Sequence, residues 1–235
     1  MLETNVDAMN WILTSMKYQK KEVRIVFTSS GAVYGPQSEL DPDLKETYLG
    51  APDVLKRNSA YAEGKRVAEF LLAQAGHTGQ VTPVITRLFA FSGIGLPLDR
   101  HFAIGNFVSD AINQDTIVVR GSGRDLRSYL DSLDMALWLW VAAARGESLT
   151  PLHIGSERSI SISELAYLVA KRAKSVLNKD LSVEIQNQIS SIDGSSKYVP
   201  STFLTRKALG VFESISLEDS IDMMLTQVLP DSSYG

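Results

Sequence analysis

No cysteine occurs anywhere in the 235 residues. That removes disulfides, thiolate nucleophiles and cysteine-ligated zinc together. Histidine is nearly as scarce, with three at positions 77, 101 and 153 and no metal-ligand spacing among them, so no structural metal is expected. Long hydrophobic runs are missing too. The longest, Met135 to Ala144, is too short to span a bilayer and reads as a buried helix. The N-terminus lacks a basic region followed by an apolar stretch, so no signal peptide is visible. A cytoplasmic protein without membrane attachment is the expectation. Positive charge is not in excess: 23 Lys and Arg against 27 Asp and Glu leave a net charge of −4. Nucleic acid is therefore not expected as the main partner. Internal repeats and low-complexity tracts are lacking as well.

What remains is 44% apolar and 21% charged, enough for a real core in one large or two small domains. Residues 1 to about 18 carry apolar positions at helical intervals. Val23 to Thr28 is β-branched and nearly continuous in hydrophobicity, as in a buried parallel strand. It runs into Ser29-Ser30-Gly31-Ala32-Val33-Tyr34-Gly35, and ligands bind at such strand ends in α/β sheets. Residues 37 to 57 are irregular. A helix from Asn58, capped by Asn58 or Ser59 and closed by Gly76, leads to a strand over Val81–Phe89. Strand, helix and strand in that order predict a parallel crossover.

A Gly/Pro-punctuated loop covers residues 90 to 105. Further on, the pattern predicts helices at Asn106–Ile112, Asp134–Ala144 and Leu217–Val228. Short strands are expected at Thr116–Arg120, Leu152–Gly155 and Leu181–Ile185. Gly121-Ser122-Gly123 reads as a turn, and the tail from 231 onward as mobile. Ser161 and Glu164 have the spacing of a capping box, starting a helix to about Leu177.

Tyr61 and Lys65 stand four apart on the predicted helix, hence on one face, one turn apart. An ammonium beside a phenol favours the phenolate, and a tyrosine so placed can serve as general acid or base on a hydroxyl or carbonyl. Taken alone, such a pair is far more often part of an ordinary amphipathic helix.

The order of pieces carries more weight than any one of them: an asparagine in the first helix, TSSGAVYG at a strand end, YAEGK on a helix, TRLF, an arginine before an apolar helix, and HIGSE before a capped helix. This order resembles the extended short-chain dehydrogenase/reductase family, the NAD-dependent nucleotide-sugar epimerases and dehydratases. The resemblance implies an α/β fold with a doubly wound, Rossmann-type parallel sheet. Residues 1–90 would be the remaining half of the NAD-binding domain. Residues 91–235 would be mainly a smaller mixed α/β substrate-binding part, with segments returning to the sheet.

By the same resemblance, Tyr61 is the catalytic base, Lys65 assists it and holds the nicotinamide ribose, and Ser30 hydrogen-bonds the reacting oxygen. Asn5, Ser29 and Phe89 join these three on the cofactor side. Asn106, Phe107, Val118, Val119, Arg120 and Arg127 fall on the nucleotide-sugar side. A bare ion pair of Arg127 with Asp125 or Asp131 is the alternative for that residue. The family also implies NAD as cofactor, a nucleotide-diphosphate sugar as substrate, a transient keto intermediate and a homodimer.

Four departures accompany the likeness. No GxxGxxG is present, and the sequence opens where the family's fourth helix would lie, so a sheet missing its first strands is expected. Gly31 and Ala32 replace the dehydratases' Asp-Glu pair, which disfavours dehydration and leaves an epimerase-type reaction. Ala90 replaces a frequent asparagine. Asp131 replaces an aromatic residue or histidine, and Ala8-Met9 a Gly-Thr. The rival reading is a catalytically inactive remnant that binds a nucleotide sugar or a protein partner.

Overall fold

The structure, a computed structural model, describes residues 2–19, 21–98, 102–186 and 195–227. Val228, the tail from 231 and His101 lie outside the described residues. In chain order the elements are α1 (Leu2–Met16), β1 (Arg24–Ser30), β2 (Gln37–Ser38), α2 (Ala60–His77), β3 (Thr82–Leu88), β4 (Phe91–Ser92), α3 (Ala103–Asn113) and β5 (Thr116–Val119). There follow β6 (Leu126–Arg127), β7 (Leu130–Asp131), α4 (Ser132–Arg145), β8 (Leu152–Ile154), β9 (Ile160–Ser161), α5 (Ile162–Leu177), β10 (Ser182–Ile185), β11 (Ser196–Tyr198), α6 (Phe203–Leu209) and α7 (Leu217–Thr226).

The expected crossover forms. β1 and β3 pair in parallel from Arg24↔Thr82 to Ser30↔Leu88, with α2 between them in the chain. β8 adds to the other side of β3, also parallel. Neighbouring β3 residues face opposite ways, as the period of two requires. Ile85 joins Met9, Leu13, Ala68 and Leu72 under α1 and α2. Val84 joins Trp138, Ala142, Leu152 and Ile154 under α4. Helices thus cover both faces of a partial, Rossmann-type parallel sheet. Among the described residues the outer edge of β1 has no strand partner. A third core gathers Ile104, Val108, Ile117, Leu165, Val169, Ile221 and Met224 from α3, β5, α5 and α7. Each of these large side chains contributes roughly 1.5–3 kcal/mol on burial.

Local readings fared unevenly. The capping box is formed: Ser161 Oγ accepts from the Glu164 N–H, and Glu164 accepts from the Ser161 N–H. At α2 neither proposed cap acts. The Ser59 hydroxyl donates instead to the Asp53 carbonyl, and the helix runs past Gly76 to His77. Helix α3 begins at Ala103, three residues before the expected Asn106. Strand β5 ends at Val119, leaving Arg120 exposed beyond it. The helix α6 and a four-stranded sheet in the order β2-β11-β6-β9 were not expected. Strands of two or three residues are too short to show any period. Asp131, an unexplained departure at the sequence level, is the N-cap of α4: it accepts the Leu133 N–H and, on its other oxygen, the Ser220 hydroxyl.

Among the described residues no helix is long and apolar enough to cross a membrane, and no group of His, Cys, Asp or Glu side chains is placed to hold a metal ion.

Candidate active site

The carboxyl ends of β1 and β3 open into a cleft of about 850 Å³. Ser29, Ser30, Tyr61, Lys65, Phe89 and Arg127 all line it. Ser30 comes from the end of β1, Phe89 from just beyond β3, and Tyr61 and Lys65 from the first turns of α2. Ser30 and Tyr61 therefore face one space, the minimum geometry that the sequence reading needs.

Tyr61 is 38% exposed, on the solvent side. Lys65 Nζ donates to the Thr28 carbonyl at 2.8 Å and lies 4.9 Å from the Phe27 ring centre and 5.9 Å from that of Tyr61. An ammonium has three hydrogens, so that anchor leaves two for the cleft. Burial lowers the Lys65 pKa, against the opposing charge of Glu69. Ser30 Oγ accepts the Ala32 N–H at 3.2 Å at the start of a tight turn over Gly31–Tyr34. A Cβ at Gly31 would lie 2.6 Å from the Phe89 ring and 2.8 Å from the Tyr198 hydroxyl. The Phe89 and Tyr198 side chains fill that space, so an acid at position 31 would have to displace them.

Ser29 lines the cleft but turns its hydroxyl inward. Its hydroxyl donates to Glu69 Oε1 at 2.5 Å, the first link in a buried chain. Arg87 grips Glu69 through Nε at 3.0 Å and a second nitrogen at 2.6 Å, and donates to the Tyr34 hydroxyl at 2.7 Å. Burial alone would lower the Arg87 pKa. Its bonds to Glu69, with the charges of Glu69 and Tyr34, more than offset that and hold it above its ordinary value. Tyr34 and His153 Nε2 are 2.6 Å apart, and His153 Nδ1 lies 2.9 Å from the Ser201 carbonyl. A carbonyl only accepts, so the His153 proton sits on Nδ1 and Tyr34 donates to Nε2.

Burial pushes the His153 pKa down to about 4, against the hydrogen bond to Ser201 that raises it. An unfolded histidine takes up its proton near ~6.5. Between those values the unfolded chain holds more protons, so acidification costs stability. Unfolding free energy from urea titrations is expected to fall between pH 6.5 and 4, by about 3 kcal/mol from this residue when complete. In His153→Asn that component should disappear. Glu46, raised by burial, works in the opposite sense, so the comparison is of slopes between the two proteins. An unchanged slope in the variant would refute it.

A second cleft, of about 640 Å³, adjoins the first, and Ala103, Asp125 and Ile162 line both. Asn106, Phe107, Val118, Val119 and Arg120 line it, together with the turn Gly121–Gly123. Phe107 and Val119 are themselves core residues. Arg127 is strongly engaged. It donates to the Leu126 and Ser196 carbonyls, to Ser196 Oγ at 3.0 Å and to Asp125 at 3.4 Å. Four of its five N–H donors thus have partners inside the protein. Asn5 lines neither cleft. It stands where α1 meets α2, with its amide 3.3 Å from the point a Gly64 Cβ would occupy. The missing side chain of Gly64 is what lets α1 come that near.

Tyr198 is the residue the sequence reading missed. It lines the first cleft from β11, half-buried, with its hydroxyl 3.3 Å from Ser30 Oγ. Lys197-Tyr198-Val199-Pro200 matches no motif, and the contact joins residues 168 positions apart. Local pattern carried no signal of it.

The family model of the NAD dependent epimerase/dehydratase family matches residues 1–155. UDP-glucuronic acid decarboxylase 1 of Arabidopsis thaliana is 30% identical over 204 residues, covering 86% of this chain and 45% of the relative. The chain spans about half the length of the curated relatives it matches. Among solved structures, RMD of Pseudomonas aeruginosa, complexed with NADPH, superposes with a TM-score of 0.82 at 22% identity, over 95% of this chain and 72% of that one. UDP-glucuronic acid 4-epimerase of Bacillus cereus, in complex with UDP-glucuronic acid and NAD, gives 0.74 at 18% identity, over 94% and 66%. These two likenesses show the fold, and the family match spans both strands, α2 and the motif residues of the cleft: the chain belongs to the NAD-dependent epimerase/dehydratase family.

Proposed function

We propose that this chain is the catalytic and sugar-binding part of an NAD-dependent, epimerase-type oxidoreductase, cytoplasmic, acting on a nucleotide-diphosphate sugar. One observation carries the reading: Ser30, Tyr61 and Lys65 share a cleft that continues into a second one lined by Asn106, Val118 and Arg120. Sugar and nucleotide then have adjoining places.

The first cleft fits the nicotinamide end of NAD. It offers an apolar wall from Leu88 to Phe91 beside the ammonium of Lys65 and the phenol of Tyr61. When bound, NAD supplies a reversible hydride acceptor. The protein's own part is proton handling. Tyr61 takes the proton of a sugar hydroxyl, Ser30 hydrogen-bonds that oxygen, and Lys65 uses its remaining hydrogens on ribose hydroxyls. When the keto group is reduced again, Tyr61 would return the proton to the same oxygen. Neither Gly31 nor Ala32 offers an acid to expel a hydroxyl as water. For Arg127, binding a diphosphate means exchanging internal acceptors for phosphate oxygens, a task its planar fork suits.

The test is incubation of the chain with NAD and UDP-glucuronic acid, chosen because the relatives' names centre on that compound. Calorimetry reads binding and proton NMR of the anomeric region reads conversion. Binding with formation of an epimer supports the reading. Binding of the sugar nucleotide without any conversion favours the inactive remnant. A homodimer through α1 and α2 is part of the proposal. Trp11 on α1 and Phe70 on α2 are 73% and 61% exposed, large apolar surfaces for a monomer to leave in water. Sedimentation should give a dimer that Trp11→Glu converts to monomer, and a monomeric wild type would refute this.

A further inference from the structure

Two hydroxyls compete for hydrogens at the floor of the first cleft. The Tyr198 hydroxyl lies 3.3 Å from Ser30 Oγ and 3.3 Å from the Leu88 carbonyl. Its position is built rather than incidental. The ring packs on Phe89 with centroids 4.7 Å apart. Two residues earlier, Ser196 is held by the cleft wall: its N–H donates to Asp125, and Arg127 donates to its carbonyl and hydroxyl. The Val199 N–H donates to Gln37.

The hydrogens can be counted. The Leu88 carbonyl only accepts, so its bond uses the Tyr198 hydrogen. Ser30 Oγ already accepts the Ala32 N–H. The bond between the two hydroxyls must then use the Ser30 hydrogen, and Ser30 has none left to give a substrate. When Tyr198 turns its hydrogen to Ser30 instead, the Ser30 hydrogen is released toward the cleft. A sugar oxygen entering the cleft is a new acceptor and favours that second arrangement.

We propose that Tyr198 is a positioning residue of the active site, shifting its hydrogen bond from the Leu88 carbonyl to Ser30 and so aiming the Ser30 hydroxyl at the reacting oxygen. This rests on the functional reading above. Tyr198 keeps its proton throughout, as suits a phenol whose pKa burial pushes up to about 12 despite the hydrogen bond from Ser30. The residue lies outside residues 1–155, the span that the family model matches.

The experiment uses the full chain with tyrosine labelled by carbon-13 at the ring carbon bearing the hydroxyl. The Tyr198 signal is identified by its loss in Tyr198→Phe, which keeps the ring on Phe89. Saturation with NAD and UDP-glucuronic acid should shift that signal, and Ser30→Ala should abolish the shift while still binding. In turnover, Tyr198→Phe should lower kcat about tenfold with KM within about twofold, as for one hydrogen bond, and should cost nothing further in a Ser30→Ala background. A ligand that binds without moving the signal overturns the proposal. So do losses from Ser30→Ala and Tyr198→Phe that multiply independently. Absence of any nucleotide-sugar binding is a separate result, and it removes the functional reading and this inference together.

Discussion

Tyr61→Phe should reduce turnover of a nucleotide sugar by roughly 10²–10⁴-fold, the usual span for removing a general acid or base. Binding of the sugar nucleotide should stay within about threefold. The change deletes one oxygen and keeps the ring. Tyr61 is more than a third exposed at the start of α2, so the fold does not depend on it. Lys65 keeps its anchor on the Thr28 carbonyl and its place over Phe27. Loss of kcat with unchanged binding is therefore the signature of lost proton transfer, not of a collapsed cleft. Initial rates and calorimetric titration on the same preparations decide it. A variant with at least half the wild-type rate would remove Tyr61 from the mechanism.

The largest expected effect on stability lies behind the cleft. Glu69→Ala should cost about 3–5 kcal/mol in urea unfolding, the range for breaking a buried ion pair from one side. Arg87 and Glu69 side chains are 15% and 10% exposed, so water screens them little. Removing the carboxylate strands the guanidinium of Arg87 and leaves the buried Ser29 hydroxyl without its acceptor. Glu69→Gln should cost less, because it keeps an acceptor for Ser29. Glu69→Leu with Arg87→Met should recover much of the loss, since a buried pair replaced by apolar side chains of similar size is often neutral. A loss below about 1 kcal/mol for Glu69→Ala would show that the pair is dispensable. Because Ser29 adjoins Ser30, the Glu69 variants should also lower activity in the folded protein, which links interior packing to the cleft.

Several features of the site were legible in the chain itself. Tyr61 and Lys65 share a face because a helix repeats every 3.6 residues, and the apolar pattern of Val67, Ala68, Leu71 and Leu72 marks the helix. The β-branched runs ending at Thr28 and Leu88, joined by a helix, imply parallel strands and hence a ligand site at their carboxyl ends. The capping box at Ser161 is a contact over three residues. All of these depend on neighbours a few positions apart, which is the range that backbone propensity and periodicity report.

Tertiary structure alone decided the rest. It turned Ser29 inward to Glu69 and bound Arg127 to the backbone of β11. It left Asn5 on the α1–α2 contact and set Tyr198 beside Ser30. The Arg127–Ser196 and Ser30–Tyr198 contacts join residues 69 and 168 positions apart. Where such partners meet depends on how sheets and helices pack, a property of the whole core and not of any local stretch. A hydroxyl or guanidinium also takes whichever acceptor the packing brings nearest. Residue type and spacing therefore determined which chemistry this chain can offer, while three-dimensional placement determined which of those groups face the cleft and which hold it together.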